Sequence, residues 1–360
     1  MHLHSQAVGN CTLRIGSVLM AALLVVTSTI MAEDAVKTVG PQSSNRPDQT
    51  PDWAKTKRPP LWSFAWLSDM HMGQATPEFI AKALHYVNSL NPHFVLITGD
   101  NNFVEAPPVD PNTPETLGLR RQRFLKDFLQ EHLKTPYVLI PGNNWPEEFD
   151  KVFGAKQYSF DCGGLHFMLM DADRAYRGGP GQNIEGFTAM NDATWDWIGR
   201  DLDRNRQHPV VVAIHEPVCP LTFLDARRLR NLLDRYPNVF LVLQGHLHVD
   251  LEFHRNGVTY LVAPALGKTS ARAIKLVNVY PEGLVVRSIP YRKASDQFEM
   301  TSRCQVVEIP KKLRGQLTKL SSPSFTKTNY DCVPPHPFVD DPALAARRAE
   351  LIKNILVPSP

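Results

Sequence analysis

The chain has 360 residues, 43% of them hydrophobic and 21% charged, a balance that supports a globular core and excludes a disordered or fibrous chain. The formal net charge of +3 is close to neutral, so neither specific nucleic-acid binding nor attachment to an acidic membrane surface is expected. None of the five cysteines stands in a CxxC pair, so nothing suggests structural zinc.

Arg14 precedes an apolar run at 18–32 that is broken only by Thr27, Ser28 and Thr29. The run is too short and too interrupted for a comfortable membrane span, and it ends in an acceptable cleavage site, Ile30, Met31 and Ala32. Residues 1–32 are therefore read as a signal peptide, and the working domain as secreted or periplasmic. The rival reading is an uncleaved anchor, and only then is membrane contact expected. Residues 33–60 are polar and Pro-rich and read as a linker. In an exported chain the first disulfide to expect joins Cys304 to Cys332, because both lie in a Pro-rich segment with little core.

From residue 61 strands and helices alternate. LWSFAWL at 61–67 lacks a helical period and reads as a buried strand, with Asp69 and His71 just past its end. Residues i and i+2 share one side of an extended chain, so these two side chains are expected to reach one point. A helix over 77–90 is predicted, capped by Thr76, with Phe79, Ile80, Ala83, Leu84 and Val87 at helical spacing. The strand at 93–98 stops at Gly99 and Asp100. A helix at 114–134 sets Phe124, Phe128 and Leu129 on one face, and the strand at 137–140 runs into Gly142, Asn143 and Asn144. Segments 157–160 and 165–170 flank Gly163 and Gly164 and read as a hairpin. A Gly-rich loop at 172–190 carries Arg174 and Arg177. It reads either as a cover whose arginines grip a phosphate or as a solvated surface loop.

A helix at 192–204 leads to a strand at 209–214 that ends at His215. A helix at 224–236 leads to a strand at 239–243 that ends at Gly245, His246, Leu247 and His248. Segments 249–254, 258–262 and 273–279 read as an antiparallel meander, with 284–289 closing a hairpin around 281–283. The expected fold is α/β: two packed mixed β-sheets flanked by helices, a four-layer α/β/β/α sandwich over 61–293. Residues 294–360 form a C-terminal extension, with a strand at 305–309 and a helix at 342–356. Trp195 and Trp197, and the histidines His85, His132, His166, His208 and His254, are read as structural.

Five strands thus end in possible ligands: Asp69 and His71, Asp100, Asn143, His215, and His246 with His248. Side chains at matching strand ends of an α/β sheet meet in one crevice. The set is mixed nitrogen and oxygen without cysteine, which suits Zn, Fe or Mn. Seven ligands are too many for one tetrahedral ion and suit two ions with a shared carboxylate.

In order and local sequence these blocks, DMH at 69–71, GDNN at 99–102, GNN at 142–144, the lone His215 and GHLH at 245–248, resemble those of the calcineurin-like metallophosphoesterases. The resemblance implies that Asp69, His71 and His248 hold one metal and that Asn143, His215 and His246 hold the other. Asp100 would bridge the two, which are divalent or trivalent ions of Mn, Fe or Zn. It further implies that a hydroxide held between the ions attacks the phosphorus of a small-molecule or polymeric phosphoester. The expected catalytic residues are Asp100, Asn144 and His215.

One block departs from the pattern. The family usually places a histidine after the ligand asparagine, followed by an acid, to serve the leaving group; here Asn144 and Trp145 stand there. An amide donates a hydrogen bond but delivers no proton at pH 7. Three readings follow: a substrate with a good leaving group, phosphodiesters slightly ahead of monoesters; another group as proton donor; or a metal-stabilised scaffold with little turnover. Asn101, Asn102 and Asn144 are expected to form an amide cluster at the site, and Glu216 to be either a partner of His215 or a solvated side chain.

Overall fold

The computed structural model describes residues 52–55, 58–73, 77–102, 115–172, 188–190, 192–267, 272–302, 304–320 and 331–332. The expected signal peptide, most of the linker, Thr76, the loop with Arg174 and Arg177, the Cys332 side of the expected bridge and the helix at 342–356 lie outside these residues or their described side chains.

Two seven-stranded sheets carry the fold. The first contains β1 (Trp62–Leu67), β2 (Phe94–Ile97) and β3 (Tyr137–Leu139), all parallel. On the other side of β1 it continues antiparallel through β10 (Ala273–Val279) and β11 (Gly283–Arg292). At its edge β11 pairs with both β12 (Gln297–Phe298) and β13 (Cys304–Glu308). The second sheet runs β14 (Asp331–Cys332), β4 (Tyr158–Cys162), β5 (Leu165–Met170), β6 (Val210–Ile214), β7 (Val239–Gln244), β9 (Val258–Val262), β8 (Leu251–Arg255), and is parallel from β5 to β9.

Helices α1 (Pro77–Ser89), α2 (Leu117–His132) and α3 (Phe149–Phe153) cover the outer face of the first sheet. Helices α4 (Asp192–Arg204) and α5 (Ala226–Leu233) cover that of the second. Between the sheets the strands contribute alternate residues. Phe64 stacks on Phe94 at 5.0 Å, Phe160 stacks on Phe167 at 5.0 Å, and Phe94 meets Phe167 edge-on at 5.6 Å. Each fully buried aromatic of this kind stabilises the fold by roughly 1.5–3 kcal/mol, so the inter-sheet layer is the main glue. The four expected layers are all present.

Several expectations need correction. The strands at 251–255, 258–262 and 273–279 do not form one meander. The β8–β9 hairpin extends the second sheet, where β9 lies parallel to β7, whereas β10 crosses to pair with β1 in the first. Both hairpins alternate alike, so local pattern does not say which sheet receives each. Helix α2 begins at Leu117, not 114, because Thr116 is its cap: the Thr116 hydroxyl and the Glu148 carboxylate both accept from the Leu119 N–H. Helix α5 is shorter than the expected 224–236, and the short α3 was not anticipated. The hairpin turn is as expected: Gly163 and Gly164 both have positive φ, 54° and 86°, as a two-residue turn of this hand requires.

His166 on β5 is structural. It is buried, with Nδ1 2.7 Å from Asp161 and Nε2 2.9 Å from Asp201 on α4, whose other oxygen accepts from Ser159. Burial opposes the imidazolium, but the two carboxylates outweigh it and raise His166 to about 9. A raised folded value means that the ion pair stabilises fully below the free-histidine value near 6.5 and is lost as the pH climbs through 9. The size of this contribution is up to about 3 kcal/mol. Urea midpoints measured from pH 6 to 10 should fall for the wild type more than for His166→Asn; parallel curves would contradict the ion pair.

Candidate metal centre

The site is built on the turns after β1, β2, β3, β6 and β7. After β1 the chain does not stay extended. Asp69 and His71 adopt left-handed conformations, φ 52° and 38°, so the expected i, i+2 geometry is wrong in detail. The turn is pinned instead: Asp69 N donates to Gly99 O (2.9 Å), His71 N to Asp100 O (3.0 Å) and Gly267 N to Asp69 O (2.9 Å). Asp100, His246 and His248 are left-handed too, at 54°, 67° and 58°. Non-glycine residues in this region cost of order 1–3 kcal/mol each and persist where surrounding structure over-determines them. Five such residues at one point mark a site held against local preference.

Close approach of the turns depends on glycine. A Cβ on Gly99 (φ 101°) would lie 2.6 Å from His215 Nδ1, and one on Gly245 would lie 2.1 Å from the Ser68 hydroxyl.

Asp69 Oδ2 accepts from the Ser68 hydroxyl (2.6 Å) and from His246 N (3.0 Å). Its other oxygen, Oδ1, is buried without a hydrogen-bond donor and faces His248 Nε2 at 3.2 Å, His71 Nε2 at 3.5 Å and His215 Nε2 at 3.9 Å. Asp100 Oδ2 lies 3.5 Å from His71 Nε2 and 3.4 Å from His215 Nε2, between the two groups of candidate ligands. His215 donates from Nδ1 to Thr98 O at 2.7 Å, which turns Nε2 towards Asn143 Oδ1, 2.9 Å away; His246 Nδ1 approaches the same oxygen at 3.1 Å. Asp69, Asp100 and His215 are buried, while the His248 side chain is 30% exposed, so the centre opens to solvent on that side.

The electrostatics reflect this crowding. Burial disfavours the Asp69 carboxylate, yet His215 and the flanking histidines hold it well below the usual carboxylate range. Asp100, likewise buried, is lowered to about 2, chiefly by His215. Burial pushes His215 down, but Asp100 and Asp69 prevail and raise it to about 10, with Glu216 adding to the field. His246 is lowered to about 4 by burial and by the nearby charge of His215.

The arrangement can hold cations. Among the described residues, Asp69, His71 and His248 bring ligand atoms within 4.8 Å of one another, and so do Asp69, Asp100 and His215. An orphaned buried carboxylate oxygen, imidazole nitrogens aimed at it and an amide oxygen between His215 and His246 fit a hard-to-borderline metal. All seven residues named from the sequence as ligands come together.

The amide cluster does not hold as expected. Asn144 alone faces the centre, with its backbone N 2.8 Å from Asp100 Oδ1 and its side-chain Nδ2 2.5 Å from Asp100 Oδ2. Asn101 and Asn102 turn away and donate to Ile140 O and Trp145 O, bracing the loop that carries Asn143 and Asn144. Sequence reasoning missed Gln244. Fully buried beside Gly245, its amide accepts from Val218 N and Cys219 N and donates to Cys219 O, tying the His215 loop to the His246 loop. A polar residue ending the run VFLVLQ was the available signal. The Cys219 thiol is buried, and burial raises its pKa, as befits packing.

Comparison with known proteins agrees with the geometry. The family model described as calcineurin-like phosphoesterase matches residues 63–250. A 3',5'-cyclic-nucleotide phosphodiesterase of Nostoc sp. is 25% identical over 230 residues, covering 56% of this chain and 77% of the relative. A dimetal phosphatase from Danio rerio superposes with a TM-score of 0.52 at 12% identity, over 70% of this chain and all of that one, and so shares the fold.

Proposed function

The chain belongs to the calcineurin-like phosphoesterase family, and we propose that within it this protein is an exported phosphodiesterase with two metal ions at the convergent turns. Hydrolysis of phosphoester bonds follows from the family. The preference for diesters, the export and the ligand roles are the proposed part. The observation that carries the diester reading is Asn144: the group beside the bridging position is an amide, which donates hydrogen bonds and delivers no proton. The Nostoc sp. relative, a 3',5'-cyclic-nucleotide phosphodiesterase, supports the same class and makes 3',5'-cyclic nucleotides the first natural substrates to try.

Asp69, His71 and His248 would hold one cation, Asn143, His215 and His246 the other, with Asp100 between them. Two cations held here would supply Lewis-acid charge for the phosphate and would make a water acidic enough to act as nucleophile near neutral pH. The residues do the rest. Thr98 fixes the His215 tautomer, Ser68 and His246 N orient Asp69, and the Asn144 amide, which gives one hydrogen to Asp100 Oδ2, has a second to offer where phosphate oxygens gather negative charge. The residue that follows Asn143 is an amide, which has no proton to give the leaving oxygen. Substrates that depart without one are therefore favoured.

The direct test compares bis-(p-nitrophenyl) phosphate, 3',5'-cyclic AMP and p-nitrophenyl phosphate with added Mn, Zn or Fe. Faster turnover of the diesters supports the proposal, and a monoester preference overturns it. Export rests on Arg14 and the apolar run at 18–32. The mass of the protein recovered from the producing cell should correspond to a chain starting at Glu33, and an intact N-terminus would refute cleavage.

A further inference from the structure

Lys275 is almost fully buried, 1% exposed, and it points between the two sheets. It sits on β10 opposite Trp66 of β1, three residues before Asp69, so it lies at the end of the sandwich where the metal centre is. Its ammonium is 2.6 Å from Asp250 Oδ1 and 2.8 Å from Gln305 Oε1. Asp250 Oδ1 also accepts from Gln305 Nε2 at 3.2 Å, and Asp250 Oδ2 accepts from the Ser288 hydroxyl at 2.5 Å.

The connectivity gives this cluster its meaning. Asp250 belongs to the second sheet, in the turn between β7 and β8 and two residues past His248. Lys275, Ser288 and Gln305 belong to three adjacent strands of the first sheet, β10, β11 and β13. One carboxylate from one sheet is thus gripped by three side chains of the other. An apolar set would glue the sheets as well without burying an ammonium, so a buried pair of this kind is better suited to fixing register. The residues that need register are close by. The trio Asp69, His71 and His248 is split between the sheets, and His71 Nε2 and His248 Nε2 stand 3.2 Å apart.

We infer that Asp250, seated in the Lys275–Ser288–Gln305 socket, is the positioning residue that holds His248 against Asp69 and His71 and so sets the affinity of one of the two cation sites. This rests on the proposed two-metal reading. Residues that orient ligands typically change metal affinity 10–100-fold when removed.

The experiment titrates the metal-free full chain with Mn(II) and with Zn(II) by calorimetry. It uses the wild type, Asp250→Asn, Lys275→Met and, as a control, His166→Asn, which disturbs a buried ion pair away from the centre. Metal-free unfolding midpoints are recorded for each. The expected result is two sites in the wild type, and in both socket variants one site weakened 10–100-fold and the other unchanged. The control should keep both sites even where its midpoint falls. Wild-type affinities at both sites in Asp250→Asn would overturn the inference and leave a purely structural staple; equal weakening of both sites in socket and control variants would overturn it as a stability effect. A wild type that binds no cation would instead refute the two-metal reading, and the inference with it. If Asp250→Asn does not fold, Ser288→Ala removes a single socket contact. It should weaken the same one site several-fold, and unchanged affinity would count against the socket.

Discussion

Asp100→Ala is expected to lower kcat on bis-(p-nitrophenyl) phosphate by on the order of 10³-fold or more, the scale on which the loss of preorganised charge at a metal centre is felt. Asp100 Oδ2 lies 3.5 Å from His71 Nε2 and 3.4 Å from His215 Nε2, while Oδ1 accepts from Asn144 N. The neighbouring oxygen, Asp69 Oδ1, lies 3.5 Å from His71 Nε2 and 3.9 Å from His215 Nε2 but is nearest to His248 Nε2 at 3.2 Å, so it does not replace a second carboxylate. The same change removes one ligand oxygen of the Asp69, Asp100 and His215 group, so metal content should fall as well. Asp100→Asn keeps the shape and a neutral ligand oxygen, and should recover metal more than rate. Full activity in Asp100→Ala, with circular dichroism unchanged, would refute the bridging role.

Asn144→His is expected to act in the opposite direction, and selectively. A positioned general acid is worth roughly 10²–10⁴-fold where the leaving oxygen needs a proton. Alkyl phosphate monoesters need one and p-nitrophenolate does not. The variant should therefore gain about 10²-fold on an alkyl monoester and change little on bis-(p-nitrophenyl) phosphate. The gain should be largest below the imidazole pKa near 6.5, where the acid form prevails. The substitution removes the Asn144 Nδ2 contact to Asp100 Oδ2 but keeps the backbone contact to Oδ1, so the centre should stay assembled. An equal loss on both substrates would mean that Asn144 serves mainly to orient Asp100.

What the sequence reveals here follows from how local each signal is. The ligand turns are legible because each is a short block at the end of an apolar run, such as HFVLIT before Gly99 and Asp100. The four layers are legible because strand and helix periods differ. The sheet assignment of β8 to β11 is not, since antiparallel hairpins look the same whichever sheet receives them. The socket around Asp250 escapes for a related reason: Lys275, Ser288 and Gln305 are 25, 38 and 55 residues away, and each reads alone as an ordinary polar strand residue. The left-handed backbone of Asp69, His71, Asp100, His246 and His248 is likewise a product of tertiary constraint, because none of these residues favours it as glycine does. Asn101 and Asn102 adjoin Asp100 in sequence, yet the turn after Asp100 directs their amides into the loop behind it.

The most direct test of the two-metal diesterase reading is elemental analysis of the purified full chain, paired with rates on bis-(p-nitrophenyl) phosphate and p-nitrophenyl phosphate from the same preparation. Two metal ions per chain with faster diester turnover is the expected result. Only trace metal after loading, or two ions with faster monoester turnover, would contradict it.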